Sequence, residues 1–429
     1  MFEFNFGYNG TERLGKGDRF EFFPAVSLGW LVSNEKFFEP LSDVVSSLKL
    51  RGSYGLVGSD ETGPSNAPHF LYIDQVQVTG NGRPGFTTGE NLNVSYYGPV
   101  VQQWAVQNGG WERVKKLDVG FDMELFRELS ITFDFFYDKR YNILLHREAW
   151  PQSLGFHEAK PWSNKGKVDN WGYEVSTNWR KQFTKDLTVD FRGTFTYTQN
   201  KYIDVDEPIY PYVWQTATGK PLNRRNGYIA EGLFQSQEEI DNSPTQNLGS
   251  KPMPGDIKYR DVDGNGVIDS KDQVMISKTA NMPRIQYGFG VNIDWKRFNF
   301  GVFFNGSAMR DININGLHPF GQNDYNAMKF VAENRWTEAN PNPNAEYPRL
   351  GLNDSQMSNN SQSSTYWIRN GNFLRFKTLE IGYRFDHVRL YFTGNNLAVF
   401  SPFKLWDPEL GWNSYPLQRT FCIGAQLSF

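Results

Sequence analysis

The chain is poor in several things, and each shortage excludes a class. Its 429 residues include a single cysteine, Cys422, so no disulfide can form within it. It has no apolar run long enough for a transmembrane helix. The net charge is −3 and no block of Lys or Arg occurs, so nucleic acid is not an expected partner. Histidines are few: His69, His146, His157, His318 and His387 are scattered, and no second histidine follows His157-Glu158 at the spacing of a zinc protease. No Gly-x-Ser-x-Gly elbow is present. Gly264-Asn265-Gly266 has no strand before it and no helix after it, so it is not a nucleotide loop. Catalysis and organic cofactors are therefore not expected. Stretches rich in Ala, Leu, Glu and Lys, the material of long helices, are also scarce.

What is abundant is aromatic. Phe, Tyr and Trp make up 16% of the chain, with 35, 21 and 13 copies, beside 40 Gly. That mixture suits strands and turns. The dominant pattern is a period of two. Over 117–125 the odd positions are Leu117, Val119, Phe121, Met123 and Leu125, and the even ones are Asp118, Gly120, Asp122 and Glu124. Segments 131–138, 187–197 and 285–295 repeat it, with Asp134, Asp190, Arg192, Asn292 and Asp294 on the polar side. The pattern predicts about twelve strands, each long enough to cross a bilayer with only every second residue apolar. A mean hydropathy of −0.58 is compatible with that arrangement.

A soluble sandwich alternates too. Two features favour the membrane. Large aromatics stand near the strand ends: Trp30, Tyr137, Trp179, Tyr197, Trp295 and Tyr383. Connections also alternate in length. Short ones lie near 126–128, 181–186, 296–297 and 386–387; long ones lie near 57–112, 142–169, 198–283, 305–371 and 400–419. Outer-membrane barrels have short periplasmic turns and long extracellular loops. The expected fold is all-β, an antiparallel transmembrane β-barrel with long extracellular loops. The last strand, 420–429, places Phe421, Ile423, Ala425, Leu427 and Phe429 on one face. It runs from outside to periplasm. Carboxylates such as Asp118, Asp122 and Asp134 are expected to line water or contact a plug. Residues 35–45, with Pro40-Leu41-Ser42-Asp43, interrupt the alternation at the periplasmic end and predict a short helix or turn capped by Ser42 or Asp43. The Ser/Asn/Gln-rich stretch 353–365 predicts a flexible loop tip.

Two patterns carry chemistry. Residues 261–272 fit a calcium loop, with oxygen donors from Asp261, Asp263, Asn265, Asp269 and Asp272 and the carbonyl of Val267. Gly266 falls at the tight-turn position and Ile268 at the apolar one. The departure is Asp272, where the longer Glu is usual. The alternative is a loop of Asx-turns holding no ion. Loop aromatics are the second pattern: Trp104, Trp111, Trp150, Trp162, Tyr212, Trp214 and Trp367. Flat rings suit the C–H faces of sugars, and Trp104, Trp111 and Trp214 are the nominated contacts. The alternative for any one of them is loop packing.

Several stretches resemble one family, the SusC/RagA-type TonB-dependent transporters. They are 6–13 (FGYNGTER) with 17–30 (GDRFEFFPAVSLGW), 48–55 (LKLRGSYG), 254–266 (PGDIKYRDVDGNG), 372–379 (NFLRFKTL) with 394–397 (GNNL), and 415–421 (YPLQRTF). Together they span almost the whole chain, in the order of the later half of that family's barrel. The resemblance implies a bacterial outer-membrane importer of glycans, or sometimes peptides. It implies a SusD-like surface lipoprotein that caps the barrel, a plug in the lumen and a TonB-box for energy coupling. The chain matches the C-terminal part of such a barrel over 1–429 and shows no plug, TonB-box or early strands. Met1–Tyr8 alternates from its first residues, without a secretion signal. Barrels of this class have about 22 strands around a plugged lumen. A fragment of a longer product is the favoured expectation, ahead of a split subunit or a small complete barrel. A passive pore or surface-binding barrel made by this chain alone is the competing function.

Overall fold

The computed structural model describes residues 1–61, 70–78, 86–96, 98–106, 109–150, 161–280, 282–315, 328–351, 354–411 and 414–427. His69, His157, His318 and Phe429 lie outside them.

Alternation with frequent aromatic and β-branched residues builds one sheet of 12 strands in consecutive order. We number them β1 (Phe2–Gly10), β2 (Phe20–Leu31), β3 (Val45–Ser59), β4 (Glu112–Leu125), β5 (Leu129–His146), β6 (Trp162–Thr184), β7 (Leu187–Asp204), β8 (Ile285–Trp295), β9 (Phe298–Ala308), β10 (Phe373–Arg384), β11 (Val388–Phe400) and β12 (Thr420–Leu427). The expected antiparallel all-β fold and its strand count are both met. The chain divides into two compact units. One comprises Met1–Thr177, Thr198–Tyr210 and Ala217–Lys220; the other comprises Asn178–Tyr197, Pro211–Thr216 and Pro221–Phe429.

In the first unit the register keeps like faces together. Trp30 pairs with Leu50 and Val26 with Tyr54. Leu50 pairs with Phe121, and Phe121 with Phe133 at a ring separation of 5.5 Å. The apolar row is therefore continuous across β2 to β5. Several of its residues are exposed in the protein alone; Phe20, Leu28, Trp30 and Leu50 are among them. The opposite row carries Lys49, Arg51, Asp118, Asp122 and Asp134. There the guanidinium of Arg51 donates to Asp134 at 2.7 Å and lies 3.6 and 3.3 Å from Asp118 and Asp122.

In the second unit Phe289 pairs with Phe304, and Phe298 with Tyr383. Phe304 stacks on Phe376 at 4.7 Å, and Phe392 on Phe421 at 6.0 Å. Ile423 on β12 is 84% exposed. Such a row is stable only if its surroundings are apolar, as in a bilayer. Inside the same unit the long connections build a core of their own. Tyr228, Ile257, Tyr259, Ile268, Ile314, Val331, Trp336, Tyr347, Met357 and Trp367 form one buried cluster. Short pairings frame it: Ala230–Leu233 with Ile257–Tyr259, Thr245–Gln246 with Val267–Ile268, and Asp311–Asn313 with Ile368–Asn370.

One expectation needs correction. The described part of 353–365 is not a loose tip. Asn359 and Asn360 are fully buried, and Met357 fills the loop core. Polarity misled because the amides are bonded inward: Gln246 donates to Asn359 at 2.6 Å, and Asn360 donates to Asp256 at 2.8 Å. The 35–45 interruption folds as expected into short helical structure: two 3-10 helices, Val32–Asn34 and Lys36–Leu41, with Ser42 as the cap at the C-terminal end of the latter. Ser42 closes the second one, its hydroxyl donating to the carbonyl of Glu39 at 2.7 Å.

The length alternation holds at most connections. On the short side, 126–128, 185–186, 296–297 and 385–387 suffice; 32–44 is the exception. Phe126 and Arg127 both take positive φ, 55° and 58°, the backbone that a tight hairpin of this hand requires.

Candidate functional site

Residues 261–272 carry the densest polar arrangement of the loop core. Asp261 bends the chain over itself, its carboxylate accepting the N–H groups of Gly264 and Gly266, both at 2.7 Å. Gly264 and Gly266 have φ of 73° and 84°, a region that suits glycine. Asp263 accepts from the backbone and side chain of Asn265, and Asn265 accepts from Val267 N–H at 2.8 Å. Asp272 is fully buried. One of its oxygens accepts from Val262 and Asp263, and the other from Asp269 at 2.8 Å.

Carboxylate oxygens of Asp261, Asp263 and Asp272 lie within 4.8 Å of one another. They bring together three of the six expected donors. Asp269 is drawn off to cap the 3-10 turn Ser270–Asp272, accepting from Lys271 N–H at 2.7 Å. Asn265 is engaged in the Asx-turn. The Val267–Ile268 pairing uses the carbonyls of Gly266 and Ile268, so Val267 C=O stands outside those bonds. Ile268 drops into the loop core at 1% exposure, as the apolar position of such a loop should. Both readings of the segment thus have their geometry: Asx-turns throughout, and a convergence of three carboxylates.

Among the nominated aromatics, Trp214 belongs to this loop. Its ring stacks on Tyr212 at 4.4 Å and 8°, and its indole N–H donates to the carbonyl of Lys271 at 2.7 Å. The Tyr212 hydroxyl bonds to Asp263, which holds that phenol above its usual ionisation range. Trp104 is exposed on its own connection. Trp111 is buried at 7% exposure, edge-on to Phe23 and donating to the Arg19 carbonyl at 3.1 Å. Its faces are taken by packing, as are those of the fully buried Trp367. Trp150 lies beneath the guanidinium of Arg147, and Trp162 against His146.

No protein-family model matches the chain. Whole-chain relatives do. A "TonB-dependent receptor P26" of Formosa agariphila is 27% identical over 458 residues, 98% of this chain and 44% of that protein. The "TonB-dependent receptor SusC" of Bacteroides thetaiotaomicron is 26% identical over 461 residues, all of this chain and 42% of that one. The solved RagAB peptide transporter superposes with a TM-score of 0.69 at 21% identity, covering 100% of this chain and 46% of its own. The chain is a SusC/RagA-like barrel. It spans less than half the length of the curated relatives it matches. These relatives are receptors and transporters, not enzymes, and they place this SusC/RagA-like barrel in the outer membrane.

Within the SusC/RagA-like barrel, two polar clusters escaped the sequence reading. Arg375 on β10 is almost wholly buried and donates to Asp407 and Glu409, both at 2.6 Å, and to Asn396. It clips the 401–411 segment to the wall. Arg349 lies 2.6 Å from the fully buried Asp256. Burial pushes that carboxyl above its usual range, against the pull of Arg349. No local spacing announces either cluster, because the partners lie 21 to 93 residues apart.

Proposed function

We propose that this barrel forms part of the wall of an outer-membrane nutrient importer. It would be driven through TonB, work with a SusD-like surface lipoprotein and take glycans or oligosaccharides as ligands. The observation that carries the reading is extent. The matches to proteins named TonB-dependent receptors run across 98–100% of the chain. The folded loop body supports it too: a passive pore has no need of so large a packed structure on its long-loop side. The chain would supply wall and loops. Plug, remaining strands and energy coupling would belong to the part of the relatives that it does not span. Of the nominated aromatics, Trp104 and Trp214 are the ones that are not buried, and they would be the contacts to a sugar.

The test is uptake in cells lacking the gene and complemented with the full-length product. Labelled oligosaccharide and labelled oligopeptide are supplied with the proton gradient intact or dissipated. Import of oligosaccharide that disappears on deletion and on loss of the gradient is the expected result. Uptake indifferent to the gradient would establish the passive pore instead. Gradient-dependent uptake of peptide alone would keep the importer and replace its ligand.

We also propose that Asp261, Asp263 and Asp272 hold a calcium ion, with Asn265, Val267 and Asp269 as the further oxygen donors of the loop. The fit rests on the three converging carboxylates and on hard oxygen donors throughout. Calcium would cancel their mutual repulsion and fasten the loop. Purified full-length protein should carry calcium by elemental analysis. An Asp261→Asn, Asp263→Asn variant with undiminished calcium would end the idea.

A further inference from the structure

The connection between β2 and β3 stands apart from the other turns on its side. Four of those take two or three residues, whereas this one uses 32–44 and folds into two 3-10 helices. Its apolar residues are divided. Val32 and Phe38 are buried, while Phe37 is 65% and Leu41 54% exposed. In water that exposure would be a cost without return.

The surroundings of Phe37 say what covers it. The apolar row of β2 runs Phe20, Phe22, Pro24, Val26, Leu28, Trp30. At about 3.3 Å per residue and a tilt of about 40° it spans roughly 25 Å, the height of a barrel's apolar band. Trp30 therefore stands at the lower edge of that band. Its indole N–H donates to Glu35 at 3.0 Å, so its polar end is satisfied while its ring remains open. The connection then doubles back, and the Phe37 ring comes to 6.3 Å from Trp30 on the same side. Charged residues Glu35, Lys36, Glu39 and Asp43 are interleaved and exposed. This is the composition of a short amphipathic segment lying in a membrane interface.

We propose that 36–41 is a lipid-seated hook. Phe37 and Leu41 enter the headgroup–acyl boundary of the periplasmic leaflet beside Trp30 and fix the depth of the barrel at that edge. The occupant is phospholipid, because the exposed rings continue the lipid-facing row of β2. The inference rests on the membrane-spanning fold and is independent of what the protein imports.

Spin labels test it in the full-length product, in phosphatidylethanolamine–phosphatidylglycerol vesicles, on a Cys422→Ser background. Labels are placed by Phe37→Cys and, separately, Asp43→Cys. Folding is checked by heat-modifiable mobility. At position 37 the ratio of collisions with oxygen to collisions with an aqueous nickel complex should be several-fold higher than at 43. Equal ratios would place the hook in water and overturn the proposal. A label at 37 shielded from both reagents would mean a protein partner covers it, and would overturn the proposal equally. If Phe37→Cys does not fold, Leu41→Cys carries the same expectation.

Discussion

The wall strands of the second unit and the loop body beside them use the same residues in opposite ways. On β8 to β12 the large rings are turned outward; Phe289, Phe298, Phe300 and Phe421 are all exposed. In the loops Trp336, Tyr347 and Trp367 are turned inward and almost completely covered. Among the described residues, the rings of β8 to β12 form no buried cluster of their own, because the apolar row is satisfied by lipid and the polar row by water or protein. The loops fold as a soluble domain does, around rings excluded from water. One chain therefore obeys two solvents, and the boundary between them falls at the strand ends.

The difference makes opposite demands on substitution. Trp367→Ala should be the most damaging change in the loop body, at about 3–5 kcal/mol for a fully buried ring. Limited proteolysis should then cut 205–284 and 309–372 while the wall stays heat-modifiable. Simultaneous loss of wall and loops would break the comparison, since it would make them one cooperative unit. Phe289→Arg, on the lipid row, should cost about 2–4 kcal/mol if the site is near the bilayer midplane. Denaturant titration in vesicles measures it, and a cost near zero would mean that this row does not face hydrocarbon. Asp272→Ala comes next. It strands the three backbone N–H groups that the carboxylate accepts, each worth about 1–3 kcal/mol when left buried and unpaired, and part of that is recovered by water. Accelerated amide exchange confined to 261–272 is the expected signature, and it should appear even in the presence of a chelator.

The smallest effect is a titration. The bond to Asp263 favours the protonated phenol of Tyr212, so its ionisation is displaced upward. A phenol whose folded pKa is raised contributes stability below its unfolded pKa and loses it as pH climbs through the folded value. Here that window opens above pH 10, the ordinary phenol value. The ultraviolet difference between the parent and Tyr212→Phe should show this residue titrating late. Asp263→Asn should bring it back toward 10. An unchanged titration would show that the bond is not formed in solution.

Much of the wall was legible from residues alone. Two-residue periodicity is a local property, and it stated the strands and their faces. Ile285–Trp295 is a strand over the very residues the alternation marks. The acidic turn at 261–272 was legible for the same reason, since Asp261, Asp263, Gly266 and Ile268 are close neighbours in sequence. Its internal division was not. Asp269 could serve as a ligand or as a cap, and only the 3-10 turn that follows it turned the carboxylate toward Lys271. The aromatic nominations fared unevenly because ring exposure depends on what lies across the fold. Trp111 is closed off by Phe23, far away in sequence.

The sequence by itself therefore determined which faces of the strands are apolar, which ends of the hairpins carry the long connections, and where acidic side chains are dense. Those are short-range patterns that backbone geometry converts directly into structure. Tertiary structure alone decided that Asn359, Asn360 and Ser364 of the polar stretch are interior, that Arg375 fastens 401–411, and that Phe37 returns to Trp30. Each depends on a partner brought close only by folding, so its energy has no signature in spacing.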